Sequence, residues 1–401
     1  MFVCLAIRCS FLRSFVIFLA FNKTGTTLSP TYSKTLVSLL PHKRSCLKKM
    51  ALRLAAQLVV VIAMVQSTVT ERRILLNEEF DSMERWEHVV TSYRMGENQF
   101  QYYTRRPENS FFRDGKLFIK PTLTTDRFGE NFLHNGKFNL KKEGCNLAVG
   151  GGCVLKADHD IANPIQSAAL VTKTKFTFTY GTLEVRAKMP RGDWLWPEIS
   201  LMPANNVYGD WPKSGYIGLV SVRGNDNFTC RGQSMGNDVM ESTLEWGLSE
   251  DLNHTRSMTW MSKAQGNVSF SSDFRTYRLE WNPDGLHSFV DDQIVGSIQP
   301  PEGGFWGLSG FNNTNQNPWA NGTIMAPFDQ EFFIAINVAV GGELFQDNCD
   351  NYPYPKPWNN SSPDTPMSSF WNKKDEWYPT WSQSSADDSA LQVDYVRVYA
   401  H

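Results

Sequence analysis

Beyond residue 70, the side chains with the most distinctive chemistry are Cys145, Cys153, Cys230 and Cys349 and a large set of aromatic rings. Thiols in an oxidising compartment pair as disulfides, and four cysteines allow three pairings. Cys145 and Cys153 bracket Gly150-Gly-Gly152, so a local loop bond is the natural reading, leaving Cys230 with Cys349. Thirteen Trp and 26 Phe supply rings for ligand contact as well as core. The seven His residues show no metal-ligand spacing. Acceptor sequons begin at Asn227, Asn253, Asn267, Asn312, Asn321, Asn359 and Asn360; together they support an exported surface.

The formal charge of −2 hides an asymmetry. Residues 1–70 hold nine Lys or Arg and no acid, which leaves 30 basic against 41 acidic residues, or −11, for residues 71–401. Such a body does not attract nucleic acid or anionic lipid by its net field. Met50-Ala-Leu-Arg53, the apolar run Leu58 to Met64 and the Val65-x-Ser67 site read as a secretory signal peptide over 50–67, too short to span a bilayer. Residues 1–49, with a second apolar patch from Phe11 to Phe21, read as an upstream extension outside the fold, and secretion is expected.

The elements that position these residues are strands. Short apolar–polar alternations recur between Gly, Asn, Asp and Pro clusters, as in Lys116–Lys120, Gly181–Lys188, Tyr277–Trp281, Ser288–Asp291 and Val393–Tyr399. A period of two marks half-buried strands. Long helical patterns are nearly absent, and no linker or repeat follows Glu71. The expectation is one all-β antiparallel sandwich over residues 68–401. The stretch from Phe345 to Ser385, rich in Pro, Asn and Trp, is then a long excursion packed against it.

Gly181 to Asn225, GTLEVRAKMPRGDWLWPEISLMPANNVYGDWPKSGYIGLVSVRGN, resembles the glycoside hydrolase family 16 domain of invertebrate β-1,3-glucan-binding proteins, also called Gram-negative bacteria-binding proteins. Phe100–Tyr103, Asp114–Thr124, Met325–Glu331, Asn337–Gly342, Trp377–Trp381 and Val393–Tyr399 carry the same likeness, over roughly residues 75–401. The resemblance implies a concanavalin A-like jelly roll of two curved antiparallel sheets with a glycan cleft on the concave face. Active members carry Glu-Ile-Asp, two residues, then Glu on one cleft strand. A retaining glycosidase needs a nucleophile and an acid/base roughly 5–5.5 Å apart. Alternation puts the first two acids on one face, and a bulge brings the third back to it.

Here that strand reads Gly215-Tyr216-Ile217-Gly218-Leu219-Val220-Ser221. Tyr216 stands at the nucleophile position, Gly218 at the helper Asp and Ser221 at the acid/base, while the flanks Trp211–Gly215 and Arg223-Gly-Asn225 match the family. Elsewhere Trp-Pro-Ala-Ile-Trp becomes Trp196-Pro-Glu198-Ile-Ser200, a cleft His becomes Arg275, and Asn98 stands where relatives tend to have Trp. The expectation is a catalytically dead homologue.

Ligand contacts follow from the same likeness. Trp194 and Trp196 are the leading candidates to stack on sugar C–H faces, with Trp211 and Trp246 behind them. Arg223 and Asn225 either bind hydroxyls or fix the strand end. Arg275 either donates to a ligand or pairs with Glu198 to plug the cleft. The resemblance also implies a structural Ca²⁺ with Glu79 and Asp394 as matching acids. It implies a secreted pattern-recognition role: binding microbial β-1,3-glucan or another cell-wall polysaccharide, with lipopolysaccharide as a further ligand and immune serine proteases as partners. The extra N-terminal immunoglobulin-type domain of many relatives is expected to be absent. The rivals are a residual endo-β-1,3-glucanase and a protein-interaction module that has lost sugar binding.

Overall fold

In the computed structural model, the described residues are 6–9, 12–16, 73–94, 97–250, 255–266, 268–311, 316–361 and 365–401. The signal peptide and the sequons at Asn253, Asn267 and Asn312 lie outside them. The chain forms two units, Met1–Glu71 and Arg72–His401. In the first, Ala6–Cys9 and Leu12–Val16 pair antiparallel.

The second unit is built on two antiparallel sheets, as the alternation predicts. Their strands, in chain order, are β1 (Ile74–Glu78), β2 (Glu87–Val89), β3 (Ser110–Arg113), β4 (Lys116–Ile119), β5 (Ala169–Val171), β6 (Gly181–Lys188), β7 (Leu195–Pro203), β8 (Tyr216–Val222), β9 (Val239–Gly247), β10 (Thr255–Lys263), β11 (Arg275–Asn282), β12 (Gly285–Val290), β13 (Gln293–Ile298), β14 (Phe332–Val340) and β15 (Leu391–Tyr399). One sheet runs β10-β9-β8-β7-β14-β5-β2; the other runs β13-β12-β11-β6-β15-β4-β3, with β1 also on β15.

Strands of period two bury one face. Leu183, Val185 and Ala187 of β6, Leu279 and Trp281 of β11, and Val396 and Val398 of β15 share one core with Ile199 and Leu201 of β7 and Ile334, Ile336 and Val338 of β14. A smaller core of Val90, Tyr102, Leu140, Leu155 and Ala162 lies apart. Both expected disulfides form, Cys145–Cys153 and Cys230–Cys349.

The late excursion packs as expected. Its Trp358, Phe370, Trp371, Trp377 and Trp381 are buried, Trp377 stacks on Phe370 at 4.2 Å, and Trp381 Nε1 donates to the Asp193 carbonyl at 2.9 Å. Helices are short, the longest described being Pro366–Asn372. Among the described residues no helix is long and apolar enough to cross a membrane.

Candidate functional site

The site is read from strand register. Across the sheet, Glu198 of β7 faces Asn337 on one side and Ser221 on the other; Ser221 faces Glu241, and Glu241 faces Met261. The next row is Ala335, Ser200, Gly218, Thr243 and Thr259. Tyr216 then faces Glu245. The register slips between Gly218 and Ser221, and both intervening side chains, Leu219 and Val220, point into the core. This is the bulge expected from the odd offset, and it sets Tyr216, Gly218 and Ser221 on one face.

Tyr216 organises the centre of that face. Its hydroxyl donates to Glu198 Oε1 and also meets the Ser200 side chain. Its ring lies over Gly218: a Cβ built there would sit 3.1 Å from Tyr216 Oη and 3.2 Å from Cε1. Three departures from the family pattern thus fit a fourth, Tyr216: Gly218 gives its ring room, small Ser200 lets it lie down, and Glu198 accepts from it. No carboxylate projects from β8 itself.

Burial pushes the Glu198 carboxyl up to about 7, and nearby Glu97 and Glu245 push the same way against the Tyr216 hydrogen bond. Burial raises Glu245 and Glu97 as well. Burial first, then Glu198, drives the Tyr216 hydroxyl well up, so it remains a donor. Tyr103, wholly buried, closes the floor by accepting from Asn337 Nδ2 at 3.0 Å. Tyr103, Asn337, Glu241 and Glu245 are not identified by the sequence reading. Glu241-Ser-Thr243-Leu-Glu245 carried a usable signal, since its alternate polar residues share one strand face.

The candidate ligand contacts separate sharply. Trp246 points into the core: it is 3% exposed, meets Phe305 edge-on at 5.0 Å and donates from Nε1 to Ser309 Oγ at 2.7 Å. Trp194 is also core, 1% exposed and edge-on to Phe345 and Trp358 at 5.3 and 5.0 Å. Neither ring is open to a sugar, which corrects the stacking expectation for both. Trp196 shares the parity of Glu198, but the Arg223 guanidinium carbon covers its ring at 4.4 Å. Arg223 is held there by Glu241 at 3.3 Å. Trp211, on the loop before β8, is 46% exposed.

Asn225 is structural: its side chain accepts from Trp194 N at 3.0 Å and donates to Asn351 Oδ1 at 3.0 Å. Arg275 does not meet Glu198. It lies on the other sheet and pairs with Asp291 at 2.8 Å. Of the two alternatives for Arg275, the plug with Glu198 does not form, and Tyr216 is the group that ties up Glu198.

The residues proposed for Ca²⁺ do not fit it. Glu79 pairs with Arg397 at 2.8 Å, and the Asp394 carboxylate is held by Arg186. Among the described residues no three His, Cys, Asp or Glu side chains could share a metal ion. A cavity of about 620 Å³ includes Arg94, Asn98, Lys156, Asp160, Glu343 and Asn359 in its wall.

The two antiparallel sheets match the jelly-roll fold of glycoside hydrolase family 16 structures. The laminarinase of Rhodothermus marinus superposes with a TM-score of 0.50 at 24% identity, covering 82% of this chain and 98% of that one. A family 16 endo-β-1,3(4)-glucanase superposes with a TM-score of 0.52 at 20% identity, covering 83% and 96%. No protein-family model matches the chain. A β-1,3-glucan-binding protein of Penaeus monodon is 40% identical over 339 residues, covering 81% of this chain and 90% of that one. β-1,3-Glucan-binding protein 1 of Galleria mellonella is 35% identical, covering 85% and 66%. Gram-negative bacteria-binding protein 1 of Drosophila melanogaster is 32% identical, covering 83% and 65%. This chain belongs to the β-1,3-glucan-binding protein family. It spans about two thirds of the length of these two insect relatives.

Proposed function

We propose that this protein is a secreted, non-catalytic receptor for β-1,3-glucan that serves pattern recognition in innate immunity, with immune serine proteases downstream and lipopolysaccharide as a second ligand. The observation that carries the reading is the Tyr216–Glu198 hydrogen bond over Gly218. Retaining hydrolysis needs two facing carboxylates in different protonation states. Here a phenol occupies the space between strands, and burial raises the carboxyl it touches to about 7. The glucan is then held by the open parts of the face, with Trp211 as the exposed stacking ring and Glu241, Thr243 and Glu245 as hydrogen-bonding partners.

A second reading has one observation in its favour. A buried carboxyl raised to about 7 resembles a general acid, so Glu198 with Glu245 across β8 is the pair a residual endo-glucanase would use. Titration of pure protein with laminarin oligosaccharides, beside a reducing-end assay, separates the readings. Saturable heat with no product supports the receptor. Product that disappears in Glu198→Gln makes it an enzyme. Neither heat nor product leaves the protein-interaction module.

A further inference from the structure

Tyr352 is 74% exposed, more than any other large apolar side chain among the described residues. It follows a short strand, Cys349–Asn351, that pairs antiparallel with Phe228–Cys230 in the register Phe228 to Asn351, Thr229 to Asp350 and Cys230 to Cys349. One step further along, Tyr352 N donates to the Asn227 carbonyl at 3.2 Å, which sets Asn227 and Tyr352 opposite each other. Phe228 and Asn351 are buried, so alternation puts Asn227, Thr229, Asp350 and Tyr352 together on the outer face. Asn227-Phe228-Thr229 is a sequon, and this geometry turns its acceptor and its hydroxyl outward while the middle residue anchors the strand.

We propose that Asn227 carries an N-linked glycan whose first sugar packs on the ring of Tyr352. Asn227 is exposed, and its carboxamide makes no hydrogen bond among the described residues, whereas the adjacent Asp226 carboxylate is held by Arg191 and Asn237. Directly opposed residues hold their Cβ atoms about 4.5–5.5 Å apart, within reach of a sugar ring linked to one and an aromatic ring on the other. The C–H face of N-acetylglucosamine suits the face of a phenol. The Cys230–Cys349 bridge pins both strands beforehand, so little further ordering accompanies the contact. The transfer uses a lipid-diphosphate-linked oligosaccharide of the secretory compartment. Asn227 Nδ2 bonds to the anomeric carbon, the C1–O bond breaks, the diphosphate leaves with the bonding pair, and the amide gives up one proton.

The chain is secreted from eukaryotic cells, its glycopeptides are mapped, and melting is followed in a set of variants. Asn227 should be occupied. Asn227→Gln, Thr229→Ala and Tyr352→Ser should each lower Tm by roughly 2 °C. The double variant Asn227→Gln with Tyr352→Ser should lose no more than either alone, and Tyr352→Trp should retain the full Tm. Trimming the glycan to a single sugar should leave Tm unchanged. An unmodified Asn227, or a Tyr352→Ser loss of equal size in the glycan-free protein, overturns the proposal.

Discussion

Glu198 is the residue on which the reading of the cleft turns, and its titration can be followed directly. Its carboxyl sits at about 7 in the fold because burial disfavours the charge. An acid with a raised folded pKa binds more protons folded than unfolded between its ordinary value and the raised one. No penalty exists below the ordinary carboxylate range; it grows as pH rises and is complete above about 7. Glu198→Gln keeps an acceptor for the Tyr216 hydroxyl and removes the charge. It should therefore stabilise the protein at pH 8 by about 1–3 kcal/mol, with the difference vanishing near pH 4. Denaturant melts at both pH values check this, and a gain that is equal at pH 4 and pH 8 would point to packing instead of charge. At this scale the sequence was an uneven guide. The absence of acids at 216, 218 and 221 was readable because flanking residues fixed the register. What replaced them as a unit was not, since the Tyr216–Glu198 contact joins two strands 18 residues apart. Trp194 stands just before β7 with a φ of 69°, outside the strand's alternation, and no sequence pattern marks that turn of the ring into the core.

At the scale of the element, the β8 bulge decides which side chains meet. With Leu219 and Val220 both inward, β8 presents Tyr216, Gly218 and Ser221 in one line. The ring over Gly218 makes two positions interdependent. Gly218→Ala should cost about 1–3 kcal/mol from overpacking, and most of that loss should disappear when Tyr216 is also changed to Ala. A double-mutant cycle by urea unfolding gives the coupling; strictly additive effects would mean the ring does not rest there. Strands with one solvated face were legible, because a half-buried strand writes its period into the chain, as Gly181–Lys188 does; Phe332–Val340, buried at all but one position, carries no such period. Trp246 was legible in principle by the same rule, being out of phase with Glu241, Thr243 and Glu245. Allocation to sheets was not. Arg275 and Glu198 both lie on strands of suitable pattern, yet the chain crosses to the other sheet between them, and only pairing partners reveal that.

For the whole molecule, the two disulfides do unequal work. Cys145–Cys153 closes eight residues, whereas Cys230–Cys349 closes 119 and spans β9 to β14. Loop-closure entropy grows with the logarithm of loop length, so Cys230→Ser with Cys349→Ser should cost about 2 kcal/mol more than Cys145→Ser with Cys153→Ser. Comparative thermal melts of the two double variants test the order. Sugar attachment should follow exposure of the acceptor amide. In the overlapping sequons, the Asn360 carboxamide donates to the Phe345 carbonyl and accepts from Trp358 Nε1, both within 3.0 Å, while Asn359 is exposed. Glycopeptide mapping should find the sugar on Asn359 and not on Asn360.

The pairing of the first strand with the last has a mechanical side. Ile74 faces Tyr399, and the ladder runs inward from there to Glu78 and Val396. Tension applied between residues 73 and 401 therefore loads this ladder at its open end, one hydrogen bond at a time, as a zipper is pulled. Antiparallel neighbours loaded in this way peel; they do not shear. A chain held through both ends of this unit would yield first at β1, before the ladders of β7, β8 and β9 opened.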